Sequence, residues 1–121
     1  MMPLALRLPS GVRLLVQQLD GVEAAALGAA AQHLQAQLGD PVAVVLGSVA
    51  ADDKVCLVAA FSPAVVKRGA SAGGLLAPLA KMCGGGGGGK PAFAQAGGRD
   101  PTRLSEALAA ACEQLQQSLN T

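Results

Sequence analysis

Tryptophan and tyrosine are absent, and only two phenylalanines occur in 121 residues. Without aromatic side chains a chain cannot build the stacking platforms on which single-strand binders lay successive bases. The core has to come from Leu, Val and Ala, and 25 of the apolar residues are alanine, a composition that favours helices closely approached on a sheet. Charge is scarce as well: 14% of residues are Asp, Glu, Lys or Arg and the net charge is +1, which excludes a strongly basic nucleic-acid binder. Histidine occurs once, as His33, off the apolar stripe of a predicted helix, where it reads as solvated. The three cysteines, Cys56, Cys83 and Cys112, form no CxxC pair and have no acidic or histidine cluster near them. An odd, unframed set reads as small buried hydrophobes in a reducing compartment, with no metal and no cofactor implied. No apolar run approaches the ~20 residues of a membrane-spanning helix, and residues 1–7 lack a signal-peptide pattern. The expectation is a soluble chain of the cytoplasm or an organelle. Its length fits one domain, residues 1–121, and a small domain that opens abruptly in a strand has the character of a piece of something larger.

What is present is a regular alternation of elements. Residues 12–16 read as a strand. Asp20 precedes Glu23 by three positions, a capping-box-like opening, and Leu27, Ala31, Leu34 and Leu38 then recur at helical spacing. Gly39-Asp40-Pro41 stops that helix. Residues 42–47 and 54–61 are continuous apolar runs, the pattern of buried strands, and pair as a hairpin across a polar turn at 48–53. Residues 65–71 read as a loop or one helical turn. Residues 72–83 read as a helix whose apolar side is Leu75, Leu76 and Leu79, although Pro78 removes a donor within it. Residues 92–96 alternate like a strand. Asp100-Pro101 is a helix opening, an N-cap acid followed by proline at the first helical position. Leu104, Leu108, Ala111, Leu115 and Leu119 form the stripe of that last helix. The predicted class is α/β (α+β): a small mixed sheet of about four strands packed with three helices, in the order β-α-β-β-α-β-α.

The segment from Lys81 to Pro101 carries the functional argument. It holds six consecutive glycines, Gly84 to Gly89, then Lys90, then Gly97-Gly98-Arg99. Glycine amides without a Cβ can approach a phosphate closely. The cations gather here too: residues 1–60 balance to −2 (three basic, five acidic) and residues 61–121 to +3 (six basic, three acidic). A solvated helix surface would also carry scattered cations. Three readings compete for the glycines. A flexible linker needs a second domain, which the residues after Gly89 are too few to form. A nucleotide P-loop is matched in part by Gly84, Gly89 and Lys90, but Pro91 stands where the Mg²⁺-binding hydroxyl is required, and the order runs helix to strand rather than strand to helix. A recognition loop for a structured nucleic acid would use exposed glycine N–H groups with Lys81, Lys90 and Arg99 on phosphate and sugar, positioning a partner without reading its sequence.

The run GGGGGGKPAFAQAGGRDPTRLSEAL resembles the end of alanyl-tRNA synthetase, where a Gly-rich run, a basic residue and proline precede an Ala-Gln-Ala-Gly-Gly stretch and a final helix. The similarity extends upstream through Lys54-Val55-Cys56-Leu57-Val58, over nearly the whole chain, and is most specific at residues 84–108. The module is related to the accessory domain of DHH-family phosphoesterases, in which a Gly-Gly-Gly-His motif holds the nucleic-acid substrate. Gly87, Gly88, Gly89 and Lys90 match that motif, with lysine in place of histidine. The extra glycine length and Pro78 depart from the pattern of that family.

The resemblance implies a DHH-associated-domain-like fold and a C-terminal tRNA-binding module that contacts the tRNA elbow and helps couple aminoacylation with editing of alanine-specific tRNA. It implies that catalysis lies in the catalytic and editing domains of the parent ligase, with no catalytic residue in this segment. The site residues it points to are Lys81, Gly87, Gly88, Gly89, Lys90 and Arg99. The chief rival is a dimerisation module of the same synthetase, with the Leu104–Leu119 helix as its contact. A phosphoesterase fragment is disfavoured by the lack of clustered Asp and His.

Overall fold

Two strands buried along nearly their whole length, residues 42–49 and 55–61, organise the molecule. The structure, a computed structural model, describes residues 4–7, 11–19, 21–39, 41–49 and 54–119. Its elements run β1 (Leu4–Arg7), β2 (Arg13–Gln18), α1 (Ala24–Leu38), β3 (Val42–Val49), β4 (Val55–Phe61), α2 (Pro63–Lys67), α3 (Ala72–Met82), β5 (Gly86–Gly89), β6 (Phe93–Gly98), a 3₁₀ turn (Pro101–Arg103) and α4 (Leu104–Leu119). One mixed sheet has the order β1-β2-β3-β4-β6-β5. Only β2 and β3 are parallel, as their crossover through α1 requires. The other neighbours are antiparallel.

Val44, Leu46, Val58 and Ala60 face α1 and pack with Leu27 and Ala31. Ala43, Val45, Leu57 and Ala59 face the other way, onto Leu76 and Leu79 of α3 and Leu104, Leu108 and Leu115 of α4. With helices on both faces the central strands are apolar on both sides, which is why residues 42–47 and 55–61 read as continuous runs rather than alternations. Among the described residues, the two buried polar side chains are both bonded. Ser62 Oγ accepts from the Val42 amide at 2.8 Å, and Ser48 Oγ accepts from the Val22 amide at 3.1 Å and donates to the Val22 carbonyl at 2.8 Å.

The predicted mixed sheet with packed helices is what forms, with six strands rather than about four. The added strands are β1 and β5. β5 is built from the glycine run itself, and glycine carries almost no strand signal. The hairpin of β3 and β4 is present, but β3 continues through Ser48 and Val49, which the sequence pattern assigns to the turn. Helix α1 begins after Glu23, which makes no side-chain cap bond; the capping-box partner Asp20 lies outside the described residues. Of the two alternatives for residues 65–71, the helical turn is what forms, as the short α2 at 63–67. Pro78 does lie inside α3. It is tolerated because Pro78 and Gly74, whose carbonyl loses its donor, are both exposed. Asp100 opens the last helical segment as expected, its Oδ1 accepting from the Thr102 amide at 3.1 Å.

Candidate nucleic-acid interface

Helix α3 ends in a glycine turn that feeds the edge of the sheet. The Gly84 amide donates to Lys81 O at 3.1 Å and the Gly85 amide to Ala80 O at 2.8 Å, the paired bonds of a Schellman ending, with Gly84 at φ 74°. The chain then runs as β5 along β6, in the register Gly86↔Gly97, Gly87↔Ala96, Gly88↔Gln95 and Gly89↔Ala94. The strands lie so close that a Cβ at Gly87 would sit 2.5 Å from Ala96 Cα, and one at Gly89 2.8 Å from Ala94 Cα. At Gly86 a Cβ would meet nothing within 4 Å. Alternate glycines are therefore demanded by packing of strand on strand. The first turn of α3 presses on the same element: a Cβ at Gly73 would come 2.6 Å from Gly89 O.

The hairpin turn at Lys90 is held from three sides. The Lys90 amide donates to Phe93 O at 3.0 Å, the Ala72 amide to Pro91 O at 2.9 Å, and the Phe61 amide to Ala92 O at 2.8 Å. The Lys90 side chain is exposed, as are those of Lys81 and Arg99. Fixed backbone and free cation are thus combined at one residue.

The expectation of a recognition loop of exposed glycine amides is corrected by this geometry. Residues 86–89 are an edge strand, so alternate amides turn inward to β6 and only the others face outward. The amides of Gly84, Gly85 and Lys90 are already bonded within the chain. What is offered outward is a narrow glycine edge with cations at its two ends. Lys90 sits at one end. Arg99 follows β6 at the other, six residues of strand beyond Phe93, or about 20 Å at ~3.4 Å per residue. Lys81 lies in the last turn of α3, close in sequence to the turn that enters β5.

The structure adds a cation that sequence reasoning passed over. Val55 pairs with Gly98, the last pair before Lys54 on one strand and Arg99 on the other. They flank an open cleft of about 380 Å³ lined also by Gly84–Gly86 and Ala96–Gly98. The signal available in the sequence was antiparallel pairing of 54–61 with the strand after the glycines, and that pairing needs the sheet order.

Cys83 lies beneath this region, fully buried. Burial pushes its thiol up from the ordinary value, and the nearby Asp100 carboxylate adds to the effect. Cys112 is raised by burial, partly offset by a hydrogen bond from Gln116. Cys56, expected to be buried like the other two, is half-buried at the cleft. His33 is exposed. Among the described residues no three His, Cys, Asp or Glu side chains come together as a metal site, and no helix is long and apolar enough to cross a membrane.

Comparison with known proteins gives one consistent picture. A family model described as the DHHA1 domain matches residues 11–117. The chain is 57% identical over 109 residues to the chloroplastic/mitochondrial alanine–tRNA ligase of Arabidopsis thaliana, covering 90% of this chain and 11% of that protein. It is 55% identical over 107 residues to the alanine–tRNA ligase of Synechococcus elongatus, covering 88% of this chain and 12% of that protein. The chain thus spans about a tenth of the length of these relatives. Among solved structures, the C-Ala domain from Aquifex aeolicus alanyl-tRNA synthetase superposes with a TM-score of 0.77 at 25% identity, covering 100% of both chains. A DHH-domain protein described as belonging to a family of ribosomal proteins shares the fold, with a TM-score of 0.65 at 17% identity over 95% of this chain and 28% of that one.

Proposed function

Because the chain belongs to the DHHA1 domain family, we propose that it is the tRNA-binding C-terminal module of an alanine–tRNA ligase, contacting the tRNA elbow and helping to couple aminoacylation with editing. The observation that carries this reading is the 57% identity to a ligase of that specificity, confined to 11% of the ligase's length. On this reading the segment's contribution is binding. Catalysis belongs to the remaining domains of the ligase, which are its partners together with alanine-specific tRNA. Relatives include bacterial and organellar enzymes, and either the cytoplasm or an organelle suits the reading.

The geometry fits a backbone-reading role. Exposed Lys90 and Arg99, about 20 Å apart along the hairpin, suit phosphates on a folded RNA better than a single small anion. A few phosphate contacts give weak binding alone. Tethered to a ligase already holding the tRNA, the module acts at an effective concentration on the order of mM, and modest charge is sufficient. The rival dimerisation reading would have to use the polar, exposed face of α4. Leu104, Leu108, Ala111 and Leu115 are buried against the sheet and α3, so that stripe is not available to a second copy.

The test is ribose or nuclease footprinting of tRNA with saturating domain. Protection at the elbow, where the D and T loops meet, is the expected result. Absence of protection there, or a stable dimer indifferent to tRNA in sedimentation, overturns the reading.

A further inference from the structure

We propose that the cleft between Lys54 and Arg99 receives one unstacked nucleotide of the RNA partner, its base laid on the glycine–alanine floor and its phosphate held between the two cations. This deepens the RNA-binding reading above and rests on it.

Lys54 and Arg99, which follow the last registered pair Val55↔Gly98, bring two like charges to the rim of one cleft, and like charges brought near one another repel. Among the described residues neither has an ion-pair partner, and the described side chains lining the cleft include no carboxylate. An anion between them relieves that repulsion.

The floor narrows the choice of anion. Besides the two cations, the cleft is lined by Val55, Cys56, Gly84–Gly86 and Ala96–Gly98, of which Val55 and Ala96 turn their side chains into the core on the α3 side. Apart from the two cations, these lining side chains carry no hydroxyl, amide or carboxylate. A free sugar or a polar peptide would find few side-chain partners. A nucleobase needs only a flat apolar surface for its face, and glycine and alanine let it approach the main chain closely. The volume, about 380 Å³, lies within the roughly 300–1,000 Å³ of small-ligand clefts. Single bases splayed out of a fold are the parts of RNA that proteins take up in this way. Lys90, at the far end of the hairpin, is not part of the cleft, so the two ends have separable roles: Lys90 contacts backbone, the cleft takes a nucleotide.

Titration of the chain with guanosine 5′-monophosphate and, separately, with inorganic phosphate tests this, with backbone amides followed by NMR. The nucleotide is expected to shift Cys56, Ala96 and Gly97 as well as Arg99; phosphate at equal concentration is expected to shift only the surroundings of Lys54 and Arg99. Gly86→Leu fills the cleft from a position where a Cβ meets nothing within 4 Å and leaves both cations in place. It should abolish the nucleotide response and weaken binding of structured RNA several-fold. Should Gly86→Leu not fold, alkylation of half-buried Cys56 in the unaltered chain supplies the readout: the nucleotide slows it and phosphate does not. Identical responses to nucleotide and phosphate, unslowed alkylation, or full RNA affinity in folded Gly86→Leu overturns the proposal. Lys90→Glu separates the two levels. If it weakens RNA binding while Gly86→Leu does not, the cleft proposal falls and the RNA reading stands; if neither does, both fall.

Discussion

The carbonyl oxygen of Cys83 accepts the Arg99 amide at 2.8 Å and, with it, the Asp100 amide at 2.9 Å. One main-chain atom at the end of α3 thus fixes both a candidate RNA-contacting cation and the residue that opens the last helical segment. The clamp closes because Gly98 has no side chain: a Cβ there would lie 2.5 Å from Cys83 O and 2.6 Å from Cys83 Cβ. The glycines around the hairpin are in this sense a packing device first, and the exposed cations ride on it.

Gly98→Ala and Gly87→Ala are therefore expected to destabilise the fold by about 1–3 kcal/mol each, the range for forcing an extra methyl into a packed site. Gly87 adds backbone strain, since its φ is 157°. Gly86→Ala, with open space at its Cβ, should stay within ~0.5 kcal/mol of the parent. Urea midpoints of the three variants decide the matter; equal losses at all three would mean that the run is not packed as a strand on β6.

Charge reversal at Lys90 should leave the urea midpoint unchanged, because its side chain is exposed and its structural hydrogen bond uses the main-chain amide. Affinity for tRNA is expected to drop several-fold. Neutralisation to Gln at Lys81, Lys90 or Arg99 should reduce the slope of log K against log salt by about 0.9 for each phosphate no longer neutralised. Filter binding across a salt series measures this. A slope unchanged in all three variants would remove these residues from the interface.

Much of this fold is legible in the sequence because both faces of the sheet are covered. The two continuous runs of β3 and β4, the stripes of α1 and α4, and Asp100-Pro101 each announce an element through burial or capping chemistry. The edge of the sheet is different. Gly86–Gly89 carry no side chains, so neither alternation nor propensity marks them as a strand, and their pairing is fixed only by the neighbouring β6 and by α3 lying against Gly89. Lys54 was missed for a related reason: it lies 45 residues from Arg99 in the chain and joins it only once β4 and β6 are paired.

Stability should fall at alkaline pH through the two buried thiols. Burial raises Cys83 and Cys112 above their ordinary value of 9.0 in the folded state. Between that value and the raised folded one, the unfolded chain has lost a proton that the folded chain keeps, so unfolding gains with rising pH. The contribution is fully present below about pH 9 and is lost as pH climbs through the folded value. Thermal melts from pH 8 upward should show the decline, and Cys83→Ala should flatten it relative to its own neutral-pH baseline. A slope that Cys83→Ala leaves unaltered would assign the decline to other groups.

Ser48 supports α1 from a distance. Helix α1 has no side-chain cap of its own. Instead, the hydroxyl of Ser48, fully buried in β3, bonds both the amide and the carbonyl of Val22, just before the helix begins. Ser48→Ala removes both partners at once and leaves two part-buried main-chain groups unpaired. The expected loss is about 1–3 kcal/mol, read from the urea midpoint. Amide exchange should quicken at Val22 and in the first turn of α1 before it does in β6, because the lost anchor is local to that junction. A variant as stable as the parent, with unaltered exchange at Val22, would mean that the entry to α1 is held by the main-chain bonds of Leu19 to Gly47 O and Gly21 to Val49 O and by the packing of Leu27 and Ala31. Binding at the Lys90 end of the hairpin should be unaffected, since β4 and β6 lie between β3 and β5, whereas the cleft, whose Cys56 pairs directly with Ser48, would register the change. The pair of readouts thus distinguishes damage to the scaffold from damage to the Lys90 end of the interface.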